Sequence, residues 1–70
     1  MPVMLTLTIN GERHQFEGPL TVASLLVKLG LDPQKLAVEH NLEIVRRSAY
    51  DVTDVKDGDT LELVQFVGGG

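Results

Sequence analysis

Seventy residues with no cysteine leave room for one small domain and exclude a disulfide framework, a thiol nucleophile and a cysteine–zinc site. A core of this size must hold without staples and leaves little volume for a buried catalytic pocket. A net charge of −4, with Arg46-Arg47 as the single adjacent basic pair, argues against nucleic acid as a partner. No basic leader precedes an apolar core, and no apolar run approaches a membrane span, so the expected location is the cytoplasm, with no membrane partner.

Leu5-Thr6-Leu7-Thr8-Ile9 alternates apolar and polar residues with period two, which predicts a half-buried strand. Asn10-Gly11 follows, the strongest short-range signal for a type I′ hairpin. Glu12 to Phe16 is the returning strand; its polar character places it at a sheet edge, with Phe16 as its main core contribution. Gly18-Pro19 breaks the hairpin, and Thr21 stands where a helix N-cap belongs. Val22, Leu25, Leu26 and Leu29 then form one apolar stripe at helical spacing. Lys28 suits the end of the helix dipole, and Gly30 with Pro33 beyond it is a stop signal, so the predicted helix covers 22–29.

Asp32 to Lys35 reads as a turn, at most one helical turn. Leu36 to His40 is a third strand, Asn41-Leu42-Glu43 a turn, and Ile44-Val45-Arg46 a short fourth strand. Ser48 to Val55 is irregular, with Tyr50, Val52 and Val55 as expected core anchors. Lys56-Asp57-Gly58-Asp59 is a turn in which Gly58 supplies a positive φ. Thr60 to Phe66 is the fifth strand, with Leu61 and Leu63 on one face and Glu62, Val64 and Phe66 on the other.

One helix must then cover one face of one sheet, an α+β solution with a mixed four- to five-stranded sheet. The first and last strands are the most apolar, so they belong side by side and parallel in the middle, with the polar second strand outside. That arrangement is the β-grasp, or ubiquitin-like, architecture. Residues 1–67 make the domain and 68–70 a glycine tail.

Few residues offer chemistry. His14 and His40 lack a histidine or cysteine at ligand spacing, so no metal site is expected. Ser24 and Ser48 have no histidine base nearby in the sequence. Asp57-Gly58-Asp59 lacks the remaining ligands of a calcium loop. Gly68-Gly69-Gly70 lacks the lysine, hydroxyl and following helix of a phosphate loop. The remaining handle is the terminal carboxylate of Gly70. Either the glycines are an inert frayed end, or a thin tail without side chains threads that carboxylate into another protein's active site.

A carboxylate is a poor acyl donor. Attack of its oxygen on the α-phosphate of ATP makes an acyl adenylate, from which a sulfur nucleophile leaves a thiocarboxylate, or an amine or thiol an amide or thioester. The chain has no ATP-binding motif, so it binds no cofactor itself and a partner enzyme consumes the ATP. Val64 and Phe66, opposite Leu61 and Leu63, then offer an apolar docking patch beside the tail, continued by Val67; burial of both within the sheet's own packing is the alternative.

Several segments resemble one family: Asn10-Gly11-Glu12 after an apolar strand, the Thr21 to Leu29 helix, Val38-Glu39-His40-Asn41, Glu43-Ile44-Val45, Asp57-Gly58-Asp59, and Phe66-Val67-Gly68-Gly69-Gly70. In order and spacing they resemble the ThiS family, the bacterial sulfur carriers of thiamine biosynthesis, over nearly the whole chain. The Asp-Gly-Asp turn, final strand and diglycine end are shared with the molybdopterin sulfur carriers; the short length and the Val38 to Arg46 segment favour the thiamine branch.

The resemblance implies a β-grasp fold and a protein co-substrate rather than an enzyme. It implies adenylation by a ThiF-like adenylyltransferase, sulfur from a donor such as a cysteine desulfurase, and delivery of that sulfur to a ThiG-like thiazole synthase. It makes Gly69 and Gly70 the diglycine, with Gly68 as a variant before it, and Gly70 the sulfur-carrying residue. Where family members often read Val-Pro-Arg, this chain reads Val45-Arg46-Arg47, which implies a looser turn. Molybdopterin synthesis, tRNA thiolation, and a binding module with an inert tail are the competing functions.

Overall fold

The computed structural model describes residues 3–66. Strand β1 (Val3–Ile9) and strand β2 (Glu12–Gly18) pair antiparallel from Val3 opposite Gly18 to Ile9 opposite Glu12. Both turn residues take a positive φ, 50° at Asn10 and 81° at Gly11, as the expected type I′ turn requires. Leu5, Leu7 and Ile9 are buried, so the period-two pattern reports the inward face.

Two short strands precede and follow the middle of the chain. β3 (Leu20–Thr21) pairs antiparallel with β6 (Asp54–Val55). Neither is anticipated above, because two residues are too few to show a period. Helix α1 (Val22–Leu29) matches the predicted range. Thr21 caps it: its hydroxyl accepts from the Ser24 N–H at 3.2 Å, and its own N–H donates to Ser24 Oγ at 2.8 Å. The helix ends at Gly30, whose φ of 73° lets its N–H and that of Leu31 reach back to the carbonyls of Val27 and Leu26 at 3.0 Å each.

One 3-10 turn, Pro33–Lys35, leads into β4 (Leu36–His40), which pairs with β5 (Glu43–Val45). β7 (Thr60–Gln65) completes a five-stranded sheet in the order β2-β1-β7-β4-β5. β1 and β7 are central and parallel, and polar β2 is an edge, as the strand compositions require. Val22, Leu25 and Leu26 of α1 join Leu5, Leu7, Ile9, Leu36, Val38, Leu61 and Leu63 of the sheet in one buried cluster.

Three expectations are corrected. β5 begins at Glu43 and ends at Val45, one residue earlier at each end than expected, because the turn is the two residues Asn41-Leu42. Val52 is 77% exposed and anchors nothing. A second 3-10 turn at Arg47–Ala49 continues into bonds from the Val52 and Thr53 N–H groups to the Ala49 carbonyl; the chain curls there, and only Tyr50 and Val55 reach the core. Phe66 lies one residue past the end of β7. At Val45-Arg46-Arg47, Arg46 has φ −71°, within the range a proline ring would impose, and Arg47 Nε donates to the Pro33 carbonyl at 3.2 Å.

Candidate functional site

The strand that leads to the glycines sits in the middle of the sheet and is gripped from both sides. On one side β4 pairs with it from Leu36 opposite Gln65 to His40 opposite Leu61. The Phe66 N–H donates to the Lys35 carbonyl at 2.9 Å, so the grip reaches the last described residue. On the other side the parallel pairing with β1 covers only Thr8 with Thr60 and Ile9 with Leu61. Asn10 extends it with its side chain: Nδ2 donates to the Leu63 carbonyl at 3.1 Å, and the Leu63 N–H donates to Oδ1 at 2.7 Å. An amide side chain here replaces a peptide unit of the ladder.

Along β7, Leu61 and Leu63 point into the core, while Val64 and Phe66 are each 59% exposed. The sheet's own packing therefore leaves both open. Val67 and the glycines Gly68, Gly69 and Gly70 lie outside the described residues, as does the proposed boundary at residue 67. Register adds neighbours that strand patterns did not single out: Ala37 stands opposite Val64, Glu39 opposite Glu62, and Ile44 opposite Glu39. Ile44 is 80% exposed. Ala37, Glu39, Ile44, Glu62 and Val64 line a shallow groove of about 140 Å³ on this outward face. Ile44 escaped the sequence reading because its face depends on where the Asn41-Leu42 turn begins. The Asn in that turn was the available signal, since it tolerates a positive φ.

The other candidates are structural. His40 Nε2 lies 2.6 Å from Asp59 Oδ2, Asn41 Nδ2 donates to Asp59 Oδ1 at 3.1 Å, and the Lys56 N–H donates to Oδ2 at 2.8 Å. Burial pushes the Asp59 carboxyl up, but the hydrogen bonds from His40, Lys56 and Asn41 and the charge attraction of His40 outweigh it and hold it below the ordinary aspartate range. Asp57 Oδ1 accepts from the Thr6 N–H at 2.7 Å, and Gly58 has φ 87°. Asp59 thus serves the backbone of its own turn, while Asp57 ties that turn to the backbone of β1. The Ser24 hydroxyl belongs to the helix cap, and the His14 ring stacks on Phe16 with centroids 6.1 Å apart. A concavity of about 420 Å³ near the start of β1 is lined mainly by Val3, Leu5, Pro19, Leu20 and Val55. None of the residues singled out for tail chemistry lines it. Among the described residues no helix is long and apolar enough to cross a membrane.

One helix on one face of a mixed sheet, with the last strand central and parallel to the first, defines a ubiquitin-like β-grasp protein. The model of the ThiS family matches residues 7–70, and the chain belongs to that family. It is 53% identical over 66 residues to a thiazole synthase of Paramagnetospirillum magneticum, covering 94% of this chain and 20% of that protein. The chain thus spans about a fifth of that relative's length. It is 38% identical over 50 residues to the sulfur carrier protein ThiS of Bacillus subtilis, covering 71% of this chain and 76% of that one. The crystal structure of the thiamine biosynthesis protein ThiS from Geobacter metallireducens superposes with a TM-score of 0.82 at 40% identity, covering 94% of this chain and all of that one.

Proposed function

We propose that the chain is a sulfur carrier for thiazole formation in thiamine biosynthesis, with the carboxylate of Gly70 as its working group. The observation that carries this reading is the family match, which runs through the final strand to Gly70 itself. The carrier named for Bacillus subtilis supports the role, and the relative named thiazole synthase supports the thiazole branch over molybdopterin or tRNA thiolation.

The chemistry divides between chain and partners. A ThiF-like adenylyltransferase brings ATP; a Gly70 carboxylate oxygen attacks the α-phosphorus and pyrophosphate leaves. The terminal sulfur of a persulfide, drawn from a donor such as a cysteine desulfurase, attacks the acyl carbon, and AMP leaves with the bonding pair; a thiol then cleaves the acyl disulfide so formed, releasing the thiocarboxylate and a disulfide. The resulting thiocarboxylate is the sulfur source for a ThiG-like thiazole synthase. The chain's part is mechanical: β7 fixes where the tail departs, and the glycines present the carboxylate without side chains to clash. Exposed Val64 and Phe66, with Val67 next in sequence, serve as the docking patch beside that departure point. The chain is a protein co-substrate and not a catalyst.

Intact mass tests this directly. After incubation with an active adenylyltransferase of the family, ATP, a persulfide donor and a thiol reductant, the protein gains the mass of one sulfur replacing one oxygen, localised to Gly70. An unchanged mass with an enzyme that modifies its own carrier would reject the reading.

A further inference from the structure

β7 runs past the end of β1. In their parallel ladder the Thr8 N–H donates to the Asp59 carbonyl at 3.0 Å and the Asn10 N–H to the Leu61 carbonyl at 2.9 Å. The next two bonds of such a ladder belong to the carbonyl of residue 10 and the N–H of residue 12. The chain has turned away by then: Asn10 has φ 50°, and Glu12 is paired with Ile9 in the β1–β2 hairpin. The Asn10 side chain makes both bonds instead. Its Oδ1 accepts from the Leu63 N–H at 2.7 Å and its Nδ2 donates to the Leu63 carbonyl at 3.1 Å, both partly shielded from water. A side-chain amide can do this because it carries an acceptor and a donor together, as a peptide unit does. Among the described residues, these are the only bonds that β7 receives on its β1 side beyond Leu61.

We propose that Asn10 is a positioning residue for the carrier reaction: through Leu63 it holds the end of β7, so that exposed Val64 and Phe66 meet the adenylyltransferase already ordered. The inference rests on the carrier reading above. Val64 and Phe66 directly follow the clasped residue, and on their other side they have β4 and the Lys35 carbonyl. A strand end held from one side alone must be ordered at docking, and that ordering is subtracted from the binding free energy. Asn10 therefore acts on how well the carrier docks. It takes no part in the chemistry at Gly70, because the partner itself holds the strand once the complex has formed.

The test compares the full chain with Asn10→Gly and Asn10→Asp. Glycine keeps the left-handed turn and loses both bonds; aspartate keeps the turn and the acceptor but loses the donor. Each protein is given to an active adenylyltransferase of the family with ATP, a persulfide donor and a thiol reductant, and the rate of sulfur mass gain is followed against carrier concentration. KM is expected to rise about tenfold for Asn10→Gly and severalfold for Asn10→Asp, with kcat within about twofold of wild type. The assay is run at a temperature where melts show each protein more than about 99% folded. A purely structural role then leaves both constants unchanged, because the concentration of folded carrier is unchanged. A KM within about twofold of wild type in both variants overturns the proposal, whatever happens to kcat.

A second measurement uses the free chain alone. The Phe66 N–H donates to the Lys35 carbonyl, a bond that neither substitution touches. Its hydrogen exchange is nevertheless expected to speed up about tenfold in Asn10→Gly relative to the amides of α1, because the strand end loosens locally. Acceleration of Phe66 no greater than that of α1 overturns the proposal, since it would report a loss of global stability alone. The two readings fail separately. An enzyme that modifies its own carrier but leaves the wild-type chain unmodified rejects the carrier reading, and this inference with it. A wild-type chain that is modified, with KM unchanged in both variants, rejects this inference alone.

Discussion

Asn10 serves the turn and the sheet junction at once. Its φ of 50° is tolerated by asparagine far better than by most side chains, and its amide makes both bonds to the Leu63 backbone where the β1–β7 ladder stops. Asn10→Ala removes both bonds and strains the turn, and is expected to cost about 2–3 kcal/mol in denaturant unfolding. Asn10→Gly keeps the turn and loses only the bonds, so its loss is smaller. Asp59 is the other residue with several attachments. Its folded-state acidity is strengthened, so its contribution is present above the unfolded-state value and is lost as pH falls through the folded one. The difference in melting temperature between wild type and Asp59→Asn is therefore largest near neutrality and closes as pH drops below about 4. Neither role could be read from residue type alone. Asn-Gly announced the turn and Asp-Gly-Asp announced another, but the partners of their side chains are 53 and 19 residues away.

At the scale of elements, α1 was legible because its signals are local and agree: an apolar stripe, Thr21 before it and Gly30 after it. Removing one such signal has a bounded effect. Thr21→Ala deletes the cap and is expected to cost about 1 kcal/mol, read as a lower denaturant midpoint at unchanged slope. The Asn41-Leu42 turn gave no comparably clear signal. Leu42 is exposed at φ 71°, a conformation that favours glycine, so the turn lacks the Asn-Gly signature that marked the first hairpin. β5 was consequently placed one residue late. Leu42→Gly relieves that strain and is expected to raise stability by about 0.5–1 kcal/mol in the same measurement, the residual after glycine's added chain entropy. Val52 faces solvent because the irregular stretch around it makes 3-10 and turn bonds to the Ala49 carbonyl, and no periodic pattern there tells an inward apolar residue from an outward one.

For the whole molecule, the buried cluster of the described residues runs from Leu5 to Leu63. A chain lacking Gly69 and Gly70 is therefore expected to melt within a degree or so of wild type, since changes away from buried or bonded features are worth within about 0.5 kcal/mol. On the carrier reading it gains no sulfur mass under conditions that modify the full chain. Alternating and helical periods in the amino-acid order were enough to give β1, the helix, the central parallel pair and the inward face of β7, though not the two-residue strands β3 and β6, because burial selects apolar residues at those spacings only over longer runs. The outward face was decided only by tertiary pairing. Glu39 meets Glu62, and Ile44 comes to stand beside them, because hydrogen-bonded register joins strands that are distant in the chain. Solvent-facing positions carry no periodic constraint of their own, so no local pattern records which of them become neighbours.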